Sequence, residues 1–226
     1  MCGRYNIIDD AATRALLESL DIPLRLNTRV NIAPTENVPV LINVESKISL
    51  HEMRWWLTPS WAPEISTQYS MFNARAENLD SSKAFKGPYH HRRSVVPASS
   101  FIEWRKSNEG NKQPYLVTPS SGCFAFAGLW DIWQRGGNYC ESCTIITTEA
   151  VAGLKWLHHR MPLILDEEDI KPWLDPETDI STIDSIRCKS PQVNIQAYPV
   201  SSNLNNSRVK DPSYLDAIED PIEISH

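Results

Sequence analysis

Short runs of apolar residues, many of them alternating with polar ones, dominate the chain and predict strands rather than long helices. These segments are 38–44, 48–54, 92–98, 115–117, 123–130, 131–133, 142–147, 163–165 and 194–200. The polar residues 45–47 separate the first two runs, and Gly136-Gly137-Asn138 separates two later ones. Both interruptions predict tight hairpin turns.

Helical spacing of apolar residues is confined to a few short segments. Residues 9–20 and 148–157 carry leucine, alanine and valine at intervals of three and four, which predicts two helices. Asp166 and Asp169 predict the start of a third helix that buries Ile170, Trp173 and Leu174, and a fourth is predicted over 181–188.

The absence of repeats and of a low-complexity linker predicts one β-rich α+β domain over residues 2–210. Residues 211–226 form an acidic segment, which we expect to be a frayed or surface-bound tail. No apolar run is long enough to span a membrane, and the N-terminus lacks the features of a secretory signal. We therefore expect a cytoplasmic protein that does not use a membrane.

The net charge of −6 argues against a generally basic nucleic-acid-binding protein. Residues 75–106 nevertheless carry seven Lys or Arg residues against three acidic ones, a local balance of +4. Such a stripe could follow a phosphate backbone, although a solvated surface is the commoner explanation.

The five cysteines do not suggest a disulfide framework, and we expect free thiols. Cys140 and Cys143 form a single C-x-x-C pair, for which two cysteines on a hairpin strand is a better interpretation than zinc. No metal or organic cofactor is indicated.

Cys2 is the residue on which the functional hypothesis rests. If Met1 is removed, Cys2 carries an α-amine and a thiol on adjacent carbons. Both groups have ordinary pKa values near 8, so each has a reactive fraction at neutral pH. Such an aminothiol condenses with aldehydes, first to a Schiff base and then to a thiazolidine ring. Taken alone, a cysteine at this position is more often an inert, small hydrophobic residue than a reactive one.

Three further residues have the chemistry that such a condensation needs. Glu103 lies within the apolar run Phe101-Ile102-Glu103-Trp104, so it is either an ion-pair partner or a carboxyl group with a raised pKa. His158 titrates near neutrality and could transfer a proton, or it could simply end a helix. Asn73 could orient a substrate or lie in a turn; if residues 71–78 are extended, Asn73, Arg75 and Glu77 share one side.

Residues 55–63 contain three tryptophans fenced by prolines. We expect at least one of these tryptophans in the core and an exposed one, for which we choose Trp61, available to stack on nucleic-acid bases.

Several motifs occur in an order that resembles the SOS response-associated peptidase (SRAP) family, whose members shield abasic sites in single-stranded DNA. The motifs are Met1-Cys2-Gly3-Arg4-Tyr5, Asn31-Ile32-Ala33-Pro34-Thr35, the loop from Arg54 to Trp61, Phe72-Asn73-Ala74-Arg75-Ala76-Glu77, Val96-Pro97-Ala98, Phe101-Ile102-Glu103-Trp104, Lys112-Gln113-Pro114-Tyr115, Ala127-Gly128-Leu129-Trp130, His158-His159-Arg160-Met161-Pro162 and, last, Val200-Ser201 with Asn205-Asn206. The sequence departs from the family pattern at Trp56, where a glycine is usual.

The resemblance implies a barrel-like mixed sheet with peripheral helices and covalent attachment of Cys2 to the aldehyde of an abasic sugar. The implied active set is Cys2, Asn73, Glu103 and His158; because His159 adjoins it, His158 is chosen by its spacing to Arg-Met-Pro. The implied DNA contacts are Arg4, Arg75, Lys86, Arg92 and Arg93. The implied partner is single-stranded DNA with abasic sites, met by a monomer near the nucleoid or replication forks during the DNA damage response.

Three hypotheses follow. The first is a covalent sensor of abasic sites that removes its own Met1, with strand cleavage as a possible lyase side reaction. The second is a thiol peptidase that uses Cys2 and His158. The third is a non-covalent module that binds single-stranded DNA.

Overall fold

The computed structural model describes residues 2–106 and 112–225, so the expectation for Met1 falls outside it. Its strands, in chain order, are β1 (Tyr5–Ile7), β2 (Arg29–Ile32), β3 (Asn37–Val44), β4 (Lys47–Trp55), β5 (Asn73–Arg75), β6 (Arg93–Ala98), β7 (Ser100–Lys106), β8 (Lys112–Pro119), β9 (Phe124–Arg135), β10 (Asn138–Glu149), β11 (Arg160–Pro162), β12 (Ile164–Leu165), β13 (Ile195–Pro199) and β14 (Ile222–Ile224). Its α-helices are α1 (Ala11–Glu18), α2 (Lys86–His91), α3 (Glu167–Leu174) and α4 (Ile180–Cys188). Short 3₁₀ turns cover Ala76–Asn78, Ala152–Leu154, Ser202–Asn205 and Pro212–Leu215.

A closed five-stranded barrel forms the centre of the molecule. Strands β4, β3, β6, β9 and β10 pair in that order, and the β9–β10 pairing closes the ring. The pairing of β4 with β10 is parallel, whereas the other pairings of the ring are antiparallel. Closure removes the unpaired sheet edges, and it confirms the predicted barrel-like mixed sheet.

A second, antiparallel sheet packs on the barrel, in the order β14-β13-β8-β7-β1-β2. Aromatic rings join the two sheets: Tyr5 meets Trp55 edge-on at 5.2 Å between ring centroids, and Phe101 meets Phe126 at 6.0 Å. These side chains are fully buried in one core, which supports the expectation of a single β-rich domain.

The predicted strands and three of the four predicted helices are confirmed, with ends shifted by a few residues. The predicted helix over 148–157 is wrong. Strand β10 continues to Glu149 because Thr147, Thr148 and Glu149 pair with β11, and only the 3₁₀ turn Ala152–Leu154 follows. The β-branched threonines favour this extended pairing over a helix.

Of the two expectations for the acidic C-terminal segment, frayed or surface-bound, the described residues 211–225 fit the second. Strand β14 pairs with β13 and forms one edge of the second sheet, with Ile224 buried. The Ser225 carbonyl accepts a hydrogen bond from the Gly153 N–H at 3.0 Å. A Cβ atom at Gly153 would lie 2.5 Å from that carbonyl oxygen, so the glycine permits this contact.

None of the helices within these described ranges is both long and apolar enough to cross a membrane.

The turn between β3 and β4 holds two non-glycine residues in the left-handed region, Glu45 at φ 52° and Ser46 at φ 61°. Such a two-residue turn prefers Asn-Gly, because most other side chains pay for a positive φ. We predict that Glu45→Asn combined with Ser46→Gly raises the free energy of unfolding by about 1–2 kcal/mol. Urea denaturation would measure this change.

Gly137, at φ 80° in the β9–β10 turn, provides the opposite control. Gly137→Ala should lower the urea midpoint, since it adds a Cβ atom to a backbone that disfavours one. An unchanged or lower midpoint in the Asn-Gly variant would contradict the prediction.

Candidate active site

Cys2 is anchored where the two sheets meet, just before β1. Its side chain is fully buried, and the Asn73 Nδ2 donates a hydrogen bond to the Cys2 carbonyl oxygen at 2.8 Å. The Cys2 Sγ lies 3.7 Å from the Arg4 carbonyl oxygen. Asn73 is itself positioned by β5, which pairs in parallel with β10 and places Asn73 opposite Ile145. The barrel strand β10 thus positions the amide that holds Cys2.

Glu103 approaches Cys2 from β7, the neighbour of β1. The Ile102 N–H donates to the Arg4 carbonyl at 3.0 Å, which continues the β1–β7 pairing toward the N-terminus. Glu103 shares its strand face with Phe101, and that face is turned toward the main core. Only 5% of Glu103 is exposed, and burial raises the pKa of its carboxyl group to about 7.

The same environment acts on the Cys2 thiol. Burial, together with the negative charge of Glu103, raises the pKa of the Cys2 thiol well above its ordinary value. The sulfur is therefore held as a neutral thiol, next to a carboxyl group that changes its charge near pH 7.

His158 lies just before β11, which pairs with the same end of β10 that positions Asn73. His158 Nδ1 lies 3.0 Å from the Arg160 backbone nitrogen and 3.2 Å from the Arg160 carbonyl oxygen, so it can accept or donate a hydrogen bond there. Partial burial lowers the pKa of His158, so the neutral ring prevails at pH 7. His158 is half-buried, whereas the adjacent His159, stacked on it at 4.3 Å between ring centroids, is exposed.

Arg160 is a residue of the site that the sequence-based assignment did not include. Its guanidinium binds both carboxylate oxygens of Glu77, at 2.7 and 3.0 Å, and also donates to the Thr147 carbonyl of β10. Glu77 therefore pairs with Arg160 and lies in a 3₁₀ turn, rather than extending a strand beside Arg75. The signal was present as the arginine of the His-x-Arg-Met-Pro run, two residues after His158.

The arginines and lysine expected at DNA occupy different environments. Arg75 and Lys86 are exposed at the surface. Arg4 is half-buried, its guanidinium 5.8 Å from the centre of the Trp104 ring, and its Nη1 donates to the Gly3 carbonyl.

Arg93 is 3% exposed and does not reach the surface as a phosphate contact would require. Its guanidinium donates to four backbone carbonyls, those of Tyr89, His90, Trp173 and Asp175. Arg93 therefore joins α2 and α3 to the barrel, and we withdraw it as a DNA contact. Arg92 is half-buried and forms an ion pair with the buried Asp131 at 3.2 Å.

Among the tryptophans of residues 55–63, Trp55 is buried and Trp61 is exposed, as expected. Trp55 is fully buried and donates to the Phe72 carbonyl at 2.8 Å. Trp61 is 48% exposed, with the Lys83 amine 4.5 Å from the ring centre. Trp56, at the position where the family usually has glycine, packs against Phe72 at 5.2 Å, directly before Asn73.

Cys140 and Cys143 both lie on β10, which confirms the strand interpretation of the C-x-x-C pair. All five cysteines are free thiols. Within the described residues, no three His, Cys, Asp or Glu side chains converge in a geometry that could hold a metal ion.

Residues 1–207 match the family described as SOS response associated peptidase (SRAP). The chain is 34% identical over 223 residues to the abasic site processing protein YoqW of Bacillus subtilis (strain 168), covering 96% of this chain and 100% of YoqW. It is 33% identical over 221 residues to the abasic site processing protein HMCES of Xenopus tropicalis, covering 83% of this chain and 65% of that protein.

Solved structures share the fold. A protein from Bacteroides thetaiotaomicron superimposes with a TM-score of 0.76 at 22% identity, over 95% of this chain and 99% of the other. A phage-related protein from Bordetella bronchiseptica gives 0.71 at 27% identity, over 89% and 95% of the two chains. With a family match that spans residues 1–207 and relatives above 30% identity over nearly its whole length, the chain belongs to the SOS response associated peptidase family.

Proposed function

We propose that this protein processes abasic sites in single-stranded DNA by linking Cys2 covalently to the ring-opened sugar. The observation that carries the proposal is the Asn73 amide fixed on the Cys2 carbonyl beside the buried Glu103. The names of YoqW and HMCES as abasic site processing proteins support the choice of substrate.

The proposed reaction begins when loss of Met1 exposes the α-amine of Cys2. The Glu103 carboxyl group assists opening of the closed sugar, and the neutral amine attacks the aldehyde carbon. Loss of water gives a Schiff base: the Glu103 carboxylate takes a proton from the attacking amine and passes it to the departing hydroxyl. The Cys2 thiol then adds to the carbon–nitrogen double bond, its proton passes to the nitrogen, and a thiazolidine ring closes. The net reaction consumes one aldehyde and releases one water.

The remaining residues have supporting roles in this proposal. Asn73 holds the Cys2 backbone in place without titrating, and neutral His158 forms a hydrogen bond with the sugar oxygen through Nε2. Arg4, Arg75 and Lys86 neutralise flanking phosphates, and Trp61 stacks on a base. Arg92 contributes less to phosphate binding, because its guanidinium already forms an ion pair with Asp131.

The raised pKa of the Cys2 thiol favours this chemistry over a thiol peptidase. Peptidase cysteines act as thiolates and have lowered pKa values, whereas the burial of Cys2 acts in the opposite direction. Removal of Met1 is then a single processing event at the Met1–Cys2 bond. A lyase side reaction remains part of the proposal, since a Schiff base also permits β-elimination.

We predict that protein lacking Met1, as verified by intact mass, forms a denaturation-resistant adduct with a single-stranded oligonucleotide that contains one abasic site. Cys2→Ala should abolish the adduct, as should one additional residue before Cys2, because both amine and thiol are required. Cys188→Ala, which removes an exposed thiol elsewhere, is the matched control and should react normally. An adduct that survives Cys2→Ala would falsify the assignment, and hydrolysis of added peptides would favour the peptidase hypothesis.

The rate of adduct formation should depend on the charge of Glu103. We predict a rise in rate with an inflection near pH 7, where the Glu103 carboxyl group ionises, and a further contribution near pH 8 from the α-amine. Glu103→Gln should slow the reaction about 10²- to 10⁴-fold and remove only the inflection near pH 7. Single-turnover rates between pH 5.5 and 9 would test this; an unchanged profile in the glutamine variant would exclude Glu103 as the proton-transfer group.

Burial of Glu103 should also cost stability at neutral pH. The folded carboxyl group binds its proton more tightly than the unfolded one, so the free energy of unfolding falls as pH rises from 4.5 to about 7. The loss is at most about 3 kcal/mol and is complete above pH 7. We predict that Glu103→Gln stabilises the protein relative to wild type at pH 8 but not at pH 4.5. Denaturant titrations at both pH values would measure the difference, and equal differences would contradict the burial argument.

A further inference from the structure

An aromatic and a basic side chain lie beside the site and have no role in the chemistry above. Trp156 precedes His158 by two residues, and Arg105 follows Glu103 by two residues on the same face of β7. Two residues along a strand span about 7 Å, so Arg105 lies that far along the sheet from the reacting groups.

Contacts fix the position of Trp156 relative to Glu103. Tyr115 of β8 lies directly opposite Glu103 in the β7–β8 pairing, so the two side chains share a face. The Trp156 ring meets the Tyr115 ring edge-on, with 5.0 Å between centroids and planes at 82°. Trp156 therefore contacts Tyr115, the cross-strand neighbour of Glu103, and lies one side chain away from Glu103.

The solvent side of Trp156 has the properties of a nucleotide platform. Its side chain is 36% exposed, although tryptophan usually buries its large ring. The Arg105 guanidinium lies 5.5 Å from the centre of the Trp156 ring and is exposed. Among the residues that the structure describes, no carboxylate forms an ion pair with Arg105, so its charge is available to an anion.

The surroundings favour a phosphate. Arg105 lies opposite Gln113 of β8, which is an uncharged residue. Lys155, next to Trp156 in sequence, forms an ion pair with the Glu149 carboxylate at 2.6 Å. A π-face next to a cation is the combination by which proteins hold single-stranded nucleic acid.

We propose that Trp156 and Arg105 form a nucleotide subsite for the residue adjacent to the lesion, with the base stacked on the Trp156 indole and its phosphate bound by Arg105. The proposal rests on the proposed function, since it takes the strand to enter beside Glu103. It gives the site a means to recognise a nucleotide on one side of the reacting sugar, and a base there would hold the sugar toward Cys2.

Binding can be measured apart from chemistry with single-stranded oligonucleotides that carry a tetrahydrofuran abasic analogue, which lacks the aldehyde. Trp156→Leu keeps an apolar side chain against Tyr115 but removes the π-face. We expect this variant to bind a centrally placed lesion about 5- to 100-fold more weakly, the range that one stacked base contributes, whereas Trp156→Phe retains most of the affinity. Tyr139→Ala, which removes a 55% exposed aromatic ring elsewhere, should bind as wild type.

The position of the lesion within the oligonucleotide identifies which flanking nucleotide stacks on Trp156. Two oligonucleotides are compared, one with the lesion at its 5′ end and one with the lesion at its 3′ end. Wild type and Trp156→Leu should bind equally to the one that lacks the nucleotide that stacks on Trp156, and the defect of Trp156→Leu should persist with the other. Arg105→Gln should reduce the slope of log affinity against log salt by about 0.7, the loss of one phosphate contact on a single strand. The thermal unfolding midpoint of each variant verifies the fold.

Equal affinity of wild type and Trp156→Leu for every oligonucleotide, with both proteins folded, would overturn the subsite. Failure of the proposed covalent chemistry gives a different result. The wild type would then form no adduct with the aldehyde-bearing oligonucleotide, while the Trp156→Leu defect with the tetrahydrofuran analogue would persist.

Discussion

The pairing of β10 on both of its edges is the constraint on which the barrel and the site depend. Its first half pairs with β9 and β4 and closes the barrel. Its second half pairs with β5 and β11, the strands that position Asn73 and His158. Because a register slip of one residue would turn every side chain to the other face, the hydrophobic pattern that closes the barrel also fixes the site.

The site also depends on a carboxyl group placed where a carboxylate is unfavourable. Glu103 lies on a strand whose neighbours Phe101 and Ile102 are fully buried. A leucine at this position would pack without the desolvation cost that an ionised carboxylate carries. In the proposed reaction, this loss of stability is the cost of a proton-transfer group that titrates near neutral pH.

Local pattern predicted much of the fold, because strands with one or two buried faces leave a clear periodicity and the turns carry their own residue preferences. It failed at 148–157, where alanine, leucine and valine fit a helix but long-range pairing with β11 decided the conformation. It failed in a similar way for the tail, whose acidic composition concealed the Ile222–Ile224 strand that completes the second sheet. Both outcomes were set by partners distant in sequence.

The candidate site was predictable in part for the same reason. Asn73, Glu103 and Cys2 were chosen from their residue types and the ordered motifs, and the structure brings Asn73 and Glu103 to Cys2. Arg93 was misjudged because a basic run in sequence does not reveal which side chain turns inward to bind carbonyls. Trp156 gave no motif signal; its significance comes from Tyr115, which is 41 positions away and lies opposite Glu103.

For the proposed reaction, burial indicates the order in which the amine and the thiol of Cys2 act. A thiol with a raised pKa is a poor first nucleophile, whereas an α-amine near its ordinary pKa of about 8 has a neutral fraction at pH 7. Attack by the amine bonds the aldehyde carbon to the Cys2 nitrogen. This carbon then lies within reach of the Cys2 sulfur, so the thiol closes a five-membered ring within the same residue. In the proposed reaction the buried thiol therefore gives up its proton only when its partner carbon is already in place, and the nitrogen receives that proton. Burial therefore suppresses other reactions of the Cys2 thiol but still permits closure of the thiazolidine ring in the proposed reaction.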